Sequence, residues 1–510
     1  MRRPGGGHMT SAQPVHQAVV LSSLDMPDAL DLLVYSCEDC ACAVSERHGS
    51  ATSRQPRYLD MNGPDLWVKA RETAELQLPG AHRLLFNPLG GGGVVVVNQA
   101  AYRVFRSFDQ PVALSEVVAA GPGDEATAAA VSRLGRLDLI HTEEAPPTPE
   151  FQAGKVLTAW LHVTNDCNLR CPYCYVNKSA EGMDETTGYA AVDSVIRSAV
   201  TNGFPAVKLK YAGGEASLNH RLLVKMHARA RSLAAEHGLH LYGTLLSNGV
   251  MLSRALVDTL RDERIRVMIS LDGVGDDHDV QRPTIAGRPT FRLVERTIAQ
   301  LMEQQHAPHL SITITGRNSG GVARAVRFAL ERDLTFSLNF FRDSDLTASF
   351  PDLRYEEQAM ISGLLSAFAV IEEFLPPWSV LGSVLDRGQL LQPRQRSCGV
   401  GQDYLVIDQR GQVAKCHMEI ERTLGDIFSS DPLQLVQRDQ ATVQNLAVEE
   451  KVGCRDCTWR YWCSGGCAVA TFRATGRYDI KSPNCNIYKA IYPEALRLEG
   501  LRLLKYATRG

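Results

Sequence analysis

The sequence predicts an α/β protein: a partial (β/α)6 barrel with a smaller N-terminal domain and a cysteine-rich C-terminal domain. Six β-type runs alternate with helical stretches between residues 155 and 345, which is the pattern of a parallel sheet. We find no dinucleotide-binding glycine fingerprint after the first run, so a partial barrel is favoured over a doubly wound sheet. Thirteen cysteines fall into separate groups in a chain of 510 residues, a length that suits about three domains.

The charge balance and the apolar runs exclude two classes of partner. The chain has 54 Lys and Arg against 57 Asp and Glu, with no block of like charge that would bind nucleic acid. Its apolar stretches are interrupted well before they could span a bilayer. The basic N-terminus also lacks the apolar core of a secretion signal. We therefore expect a cytoplasmic protein that binds neither nucleic acid nor membrane.

The N-terminal third contains two segments. Residues 1–60 are rich in small and polar residues and predict a flexible arm with one short helix in LDMPDALDLLVYSC. The arm also carries three cysteines, Cys37, Cys40 and Cys42. Residues 64–147 contain the β-rich runs HRLLF and GVVVV, then three helical patterns, which predict a hairpin followed by three short helices. The Pro-rich segment 145–150 is the expected linker.

The remaining chain divides into four predicted segments. The six barrel strands are expected at residues 157–163, 206–212, 241–247, 266–272, 309–315 and 335–341. A helical connector is expected over residues 346–393, and residues 491–510 predict a C-terminal helix. Residues 394–490 are rich in Cys, Gly and Trp with little periodicity, so this domain is expected to depend on metal for folding.

A cysteine loop directly follows the first predicted strand. Cys167, Cys171 and Cys174 have C-x3-C-x2-C spacing. Three thiolates can bind three irons of a cubane and leave the fourth iron open for substrate chemistry. A zinc loop that lacks one ligand, or a set of reduced thiols, remains the alternative.

Polar residues follow the next three strands, and the barrel prediction places all of them at one mouth. The segments are Gly213-Gly214-Glu215, Ser247-Asn248-Gly249 and Ser270-Leu271-Asp272-Gly273, with His278, Asp279 and Arg282 after the last. Each segment alone is an ordinary turn or helix entry. Together they offer a carboxylate, a guanidinium, hydroxyls and amides, which suit an amino-acid nucleoside.

The loop CNLRCPYC, with GGE and SLDGVGDDHDVQR downstream, resembles the radical S-adenosylmethionine (radical SAM) superfamily over residues 155–345. The resemblance implies a 4Fe-4S cluster on the three loop cysteines, with SAM chelated by the free iron. It further implies that Tyr173 lies beside the adenine, that Glu215 after Gly213 and Gly214 binds the ammonium, that Ser270 contacts the ribose and that Arg282 binds the carboxylate. Asn248 is a weaker SAM contact. The implied chemistry is reductive cleavage of SAM to a 5′-deoxyadenosyl radical.

Seven cysteines of residues 394–490 form a second group: Cys398, Cys416, Cys454, Cys457, Cys463, Cys467 and Cys485. Zinc is the alternative, but seven thiols do not divide into two four-cysteine sites. The arrangement resembles the SPASM domain, an iron-sulfur extension of radical SAM barrels. That resemblance implies a distal cluster on Cys454, Cys457, Cys463 and Cys485, and a proximal cluster on Cys398, Cys416 and Cys467. Residues 389–397 contain no further cysteine, so we expect an open or substrate-ligated proximal iron, or else an inert non-cysteine ligand. Three 4Fe-4S clusters are expected in all.

Residues 64–147 resemble the winged-helix peptide recognition module of enzymes that mature ribosomally made peptides, which grips a leader peptide as an added strand. The leading hypothesis is therefore a radical SAM peptide maturase that installs a thioether or carbon-carbon cross-link, with flavodoxin or ferredoxin as electron donor. One alternative is an anaerobic sulfatase-maturing enzyme, although that family has an aspartate where this chain has His417. The other is a zinc-dependent winged-helix regulator. The N-terminal cysteines are either exposed thiols of a tail or substrate thiols of a precursor fused to its enzyme.

Overall fold

The computed structural model describes residues 18–25, 59–121, 124–144, 149–151 and 154–507. Contacts divide the chain into two compact units, and each is described by itself. Among the described residues, the first unit contains those up to Glu150 together with those from Glu499 onward, and the second contains Phe151–Leu498. Within these ranges no helix has the length and apolar character that crossing a bilayer requires.

The first unit combines short antiparallel strands with three helices. Its strands are β1 (Val20–Ser22), β2 (Leu66–Lys69), β3 (Ala74–Leu78), β4 (His82–Phe86), β5 (Val95–Val97), β6 (Val112–Ala113) and β7 (Ile140–Thr142), and its helices are α1 (Gln99–Arg106), α2 (Leu114–Ala120) and α3 (Asp124–Arg136). Strands in the order β1-β5-β4-β3 form one sheet and β6-β2-β7 another. The three predicted helices and the antiparallel pair β4–β5 are present. Asn98 caps α1, because its side chain accepts a hydrogen bond of 2.9 Å from the Ala101 N–H.

The prediction of a flexible arm over residues 1–60 is wrong for residues 20–22, which form β1 and pair antiparallel with β5. The run AVVL is too short to show a strand period by itself, and its partner lies about seventy residues further on. The predicted short helix and the cysteines Cys37, Cys40 and Cys42 lie outside the described residues.

The second unit contains the predicted βα repeats. The strands are β8 (Val156–Thr164), β9 (Ala206–Gly213), β10 (His240–Ser247), β11 (Ile265–Ser270), β12 (His309–Ile314) and β13 (Phe336–Phe340). The helices between and after them are α4 (Glu185–Thr201), α5 (His220–Glu236), α6 (Arg254–Asp262), α7 (Asp276–Asp279), α8 (Phe291–Glu303), α9 (Val322–Leu330) and α10 (Glu357–Phe374).

All six predicted barrel strands are present, and neighbours in the order β8 to β13 pair in parallel. Residues of both faces are buried, as a sheet covered by crossover helices requires; β8 is buried over its whole length, and β9 buries Lys208 and Lys210 among its apolar residues. Because parallel strands end at the same edge, the loops after β8 to β13 share one mouth. The prediction of an α/β unit with six parallel strands is therefore confirmed.

Residues 394–490 differ from the expectation of a domain with few core residues. They contain β14 (Tyr404–Ile407), β15 (Gln412–Ala414), β16 (Thr423–Asp426), α11 (Pro432–Arg438), α12 (Arg460–Cys463) and α13 (Ala468–Thr475). The fully buried β14 pairs in parallel with β8, and β15 and β16 extend the same sheet. Four apolar residues between glycine-rich turns are too short for a periodicity signal, so the sequence did not reveal this strand.

The connector and the C-terminal helix also depart from their predicted bounds. Over residues 346–393 the longest helix is α10, which ends at Leu375 in the left-handed conformation with φ 46°. The C-terminal helix, α14 (Cys485–Tyr506), begins before the predicted residue 491. Its first residue is therefore one of the seven cysteines.

Candidate active site

One open cavity of about 1110 Å³ lies at the shared mouth of the parallel strands. Its lining includes the ten barrel residues that the sequence singled out: Cys167, Cys171, Tyr173, Cys174, Gly213, Gly214, Glu215, Asn248, Ser270 and Arg282. These residues come from four different strand ends, and their convergence follows from the parallel order of the sheet.

The cysteine loop is held in place by main-chain hydrogen bonds to its neighbours. The Gly214 N–H donates to the Thr164 carbonyl at 2.7 Å, and the Glu215 N–H donates to the Asp166 carbonyl at 2.8 Å. On the other side, the Arg170 N–H donates to the Pro283 carbonyl at 2.9 Å. The loop is therefore fixed by the end of β9 and by the segment after α7.

The three loop thiols lie close enough together to affect one another's ionisation. Burial raises the pKa of Cys171 to about 12; the neighbouring Cys174 and Cys167 act in the same direction and Arg282 acts against it. Burial likewise raises the pKa of Cys167, beside Glu215 and Cys174. The Cys167 sulfur also accepts a hydrogen bond from the Leu169 N–H at 3.4 Å. Three converging thiols beside an open cavity fit an iron-sulfur cluster with one exposed iron.

Among the described residues, no three His, Cys, Asp or Glu side chains converge tightly enough to hold a single metal ion.

Glu215 is a buried carboxylate at the cavity wall. One of its oxygens accepts a hydrogen bond of 2.6 Å from the Asn248 N–H, and the other accepts one of 3.1 Å from the Ser217 N–H. The Asn248 side chain donates to the Asn168 side chain at 2.7 Å. Each Glu215 oxygen keeps a lone pair for a further donor. Glu215 and Asn248 therefore form one fixed polar wall beside the cysteine loop.

Tyr173, Asp272 and Arg282 form a second buried network. The Tyr173 hydroxyl donates to Asp272 at 2.5 Å, and the Arg282 guanidinium contacts both the tyrosine oxygen and the aspartate. Burial raises the pKa of Tyr173 well above its ordinary range. Burial acts to lower the pKa of Arg282, but Tyr173, Cys171 and Asp272 hold it well above its ordinary value. The guanidinium thus keeps a positive charge at the cavity wall.

Asp272 is an anchoring residue to which the sequence analysis gave no role. Its other oxygen accepts a hydrogen bond of 2.9 Å from the Thr313 N–H, and its side chain is completely buried. Its position directly after the fourth strand was a usable signal, because strand-end carboxylates face the mouth.

The sequence analysis also missed the end of the sixth strand. Asn339, Phe340, Phe341 and Arg342 line the cavity, as do Trp160 and Lys178. Asn339–Arg342 obeys the strand-end rule that selected the other residues, so the segment NFFR was a usable signal. Trp160 lies within β8 and could not be distinguished from core.

His417 brings the region after β15 to the same cavity. Its ring stacks on Trp160 with centroids 4.5 Å apart and meets the edge of Tyr175 at 5.5 Å. Its Nδ1 shares a hydrogen bond of 3.0 Å with the Tyr404 hydroxyl. Burial lowers the pKa of His417 well below its ordinary value, and Arg387 and Arg342 lower it further. The imidazole is therefore neutral and held in one orientation.

The seven C-terminal cysteines form two electrostatic neighbourhoods. Cys416 interacts with Cys467 and Cys398, and burial raises its pKa to about 12. Cys454 interacts with Cys463, Cys485 and Cys457, and burial raises its pKa to about 12 as well.

Two arginines adjoin the first of these neighbourhoods. Burial acts to raise the pKa of Cys467, but Arg342 and Arg387 outweigh it and lower the pKa. Arg342 also forms a 2.6 Å ion pair with the buried Asp386. Since Arg342 lines the cavity, one guanidinium lies between the cavity and Cys467.

Comparisons with known proteins agree with this geometry. Residues 161–329 match the family model described as the Radical SAM superfamily. This match covers β9 to β12 with the end of β8 and most of α9, and it contains all ten predicted barrel residues. The chain therefore carries a radical SAM domain.

Individual relatives are distant but extensive. A cysteine-type anaerobic sulfatase-maturating enzyme of Clostridium perfringens (strain 13 / Type A) is 23% identical over 366 residues, which cover 68% of this chain and 96% of the relative. A PqqA peptide cyclase of Xanthomonas oryzae pv. oryzae (strain MAFF 311018) is 23% identical over 64% of this chain and 87% of its own length. The structure of native anSMEcpe with bound AdoMet and Cp18Cys peptide superposes with a TM-score of 0.56 at 19% identity, covering 69% of this chain and 99% of that one. The structural likeness shows that the fold is shared.

Radical SAM domains use S-adenosylmethionine and a 4Fe-4S cluster, and the donors of this cavity fit both. The three loop thiols would hold the cluster. The carboxylate wall at Glu215 and the cation at Arg282 suit the ammonium and carboxylate of the methionine part. When bound, this pair supplies a 5′-deoxyadenosyl radical that removes hydrogen from a substrate.

Proposed function

We propose that the chain is a radical SAM peptide maturase that installs a cross-link, either a thioether or a carbon-carbon bond, in a ribosomally made precursor peptide. The observation that carries the proposal is the convergence of the ten predicted residues on one cavity that also reaches His417. The sulfatase-maturating enzyme and the PqqA peptide cyclase support a peptide substrate, because both names denote enzymes that modify polypeptides. The anSMEcpe structure is described with a bound peptide as well.

Different residues of the cavity would bind different parts of SAM and of the peptide. Glu215 and Asn248 would orient the ammonium end of SAM, with Gly213 and Gly214 allowing close backbone approach. Arg282, charged and braced by Asp272, would bind the carboxylate. Tyr173 and Ser270 would contact the adenosine. The cavity residues from Asn339 to Arg342, together with His417, would then be left to contact the peptide.

His417 would position the substrate by hydrogen bonding. Its ring is neutral, buried and clamped between Trp160 and Tyr175, so it offers a fixed polar atom. A carboxylate at this place would act as a base. Sulfatase maturases resemble this chain elsewhere but have an aspartate at the position of His417. This difference favours cross-linking over oxidation to formylglycine.

The C-terminal cysteines would hold two further 4Fe-4S clusters, with Cys398, Cys416 and Cys467 nearer the barrel and Cys454, Cys457, Cys463 and Cys485 farther from it. With three thiols, the proximal cluster would keep one iron for a substrate thiolate or another ligand. The two neighbourhoods of the structure support this division. Flavodoxin or ferredoxin would supply the reducing electron.

Residues 64–147 would hold the leader part of the precursor. The sheet β1-β5-β4-β3 and the three helices of the first unit support a peptide-binding module of this kind. Strand addition at a sheet edge gives affinity through main-chain bonds and leaves the modified part of the peptide free.

The second candidate is an anaerobic sulfatase-maturing activity, which the 23% identical Clostridium relative favours. The zinc-dependent regulator has no such support. All three are distinguished by the metal content and the product formed.

The test is anaerobic purification followed by reaction with SAM, dithionite and candidate peptides. A brown protein with roughly a dozen irons per chain is expected for three cubanes, together with 5′-deoxyadenosine release and a peptide that has lost two hydrogens per cross-link. A formylglycine product would favour the sulfatase-maturing alternative. Colourless protein that contains zinc and leaves SAM intact would exclude the proposal.

A further inference from the structure

We propose that the segment 18–25 is a leader strand carried in cis: it fills a peptide-strand site on the first unit with residues of the chain itself. The inference rests on the proposed function only in assigning the first unit to peptide binding. It goes beyond that function because it identifies an occupant and the features that the site recognises.

Main-chain hydrogen bonds attach the segment to β5. Val20, Leu21 and Ser22 lie opposite Val97, Val96 and Val95. The Ser23 N–H donates to the Val94 carbonyl at 2.9 Å, and the Asn98 N–H donates to the Val19 carbonyl at 3.2 Å. This is the geometry of an extended peptide added to a sheet edge.

Helix α3 closes the other side of the segment. The Arg133 Nε donates to the Val20 carbonyl at 3.1 Å, and the same guanidinium pairs with the Asp25 carboxylate. Val20 and Leu24 pack partly buried against the core of this unit. The segment therefore lies in a groove with β5 along one side and α3 along the other.

Gly93 gives the groove its width at Ser23. A Cβ on Gly93 would lie 2.7 Å from the Ser23 hydroxyl, and the backbone there has φ +67°. The Ser23 hydroxyl accepts a hydrogen bond of 3.0 Å from the Val94 N–H. The site thus has a place for a small hydroxyl residue, followed by an apolar residue and a carboxylate.

The attachment of the segment suits an exchangeable occupant. β1 is an edge strand of three residues, and its ion pair to Arg133 is partly exposed, with side-chain accessibilities of 37% and 50%. Residues 26–58 separate the segment from the rest of its unit. Because the segment belongs to the same chain as the site, its effective concentration there reaches the order of millimolar. A separate peptide of the same pattern therefore competes poorly while the segment is bound.

The test uses a fluorescein-labelled peptide with the sequence of residues 18–25 and full chains that differ at position 21. Hydrogen bonds join residues 19 and 23 to the strand opposite. Hydrogen-bonded pairs alternate with non-hydrogen-bonded pairs along an antiparallel ladder, so Leu21 also lies in a hydrogen-bonded pair. Leu21→Pro removes that donor, whereas Leu21→Val keeps it and is the matched control. A chain that begins at residue 26 provides a third protein without the segment.

Fluorescence anisotropy should show saturable binding to the Leu21→Pro and truncated chains, at least about tenfold tighter than to the Leu21→Val chain. Equal affinities, or no binding to variants with native circular dichroism, would overturn the inference. A scrambled peptide controls for sequence. SAM cleavage by the same preparations is measured separately. If the peptide does not bind as expected but SAM is still cleaved, only the cis leader is rejected. If the peptide binds as expected but SAM is not cleaved, only the proposed function is rejected.

Discussion

Gly214→Ala should disable the cysteine loop without touching a cysteine. A Cβ at position 214 would lie 2.2 Å from the Asp166 carbonyl oxygen and 2.6 Å from that of Asn165. Real Cβ contacts essentially never fall below 3.0 Å, so the Asp166 carbonyl must withdraw by most of an ångström. That carbonyl accepts the Glu215 N–H at 2.8 Å and precedes Cys167. The displacement therefore reaches both the Glu215 wall and the cysteine loop.

Two magnitudes follow from this displacement. Overpacking of this kind costs about 1 to 3 kcal/mol of folding free energy. A misplacement near 1 Å in a catalytic site costs on the order of a hundredfold in rate. We expect Gly214→Ala to lower SAM cleavage by about that factor, with a reduced iron content, while most of the protein stays folded.

The assay compares Gly214→Ala with Gly320→Ala, whose added Cβ meets nothing within 4 Å. Both proteins are reconstituted with iron and sulfide, and 5′-deoxyadenosine is quantified after reaction with SAM and dithionite. Gly320→Ala should match the parent chain. If Gly214→Ala has the same iron content and SAM cleavage as the parent chain, the argument that this glycine sets the position of the loop is refuted.

Four further outcomes are expected. Asp272→Asn should lower the unfolding free energy of the iron-free chain by about 3 kcal/mol, because it leaves the Arg282 charge buried without its counter-ion; an unchanged denaturant midpoint would contradict this. Burial raises the pKa of Asp403 from 3.8 to about 7. Its stabilising contribution is therefore present below pH 4 and is lost as pH rises through 7. Asp403→Asn should flatten this dependence of stability on pH, as measured by thermal melts. Cys467→Ala should lose about four of roughly twelve irons and keep SAM cleavage; an intact iron count would exclude Cys467 as a ligand. The cis leader predicts that residues 36–46 lose two hydrogens per thioether after turnover, by mass spectrometry; an unmodified segment beside a modified separate peptide would contradict self-modification.

The barrel and its mouth could be predicted from sequence because their signals are local. Each parallel strand is a short β-type run between helical stretches, and the residues that follow it share one edge. Glu215, Asn248, Ser270 and Arg282 reach the same cavity for this reason. The rule would also have found Asn339–Arg342, had it been applied to the sixth strand.

Other features could not be predicted because their partners are far away in sequence. β1 is recognisable as a strand only beside β5, and β14 only beside β8. Both strands are short, and their pairing is decided by tertiary contact and not by their own composition. Asp272 was visible as a residue, but its bonds to Tyr173 and Thr313 depend on side-chain positions that no spacing rule gives.

The pairing of β14 with β8 explains how the C-terminal cysteines are coupled to the cavity. β8 leads into the cysteine loop, while β14 leads through β15 to Cys416 and His417. Because β14 runs parallel to β8, the chain returns after β15 beside Trp160, against which Cys416 and Tyr404 also pack. One buried cluster thus serves both regions, and any shift of the strand pair moves His417 relative to the loop thiols. The C-terminal region is for this reason part of the same sheet as the strand that leads into the cysteine loop.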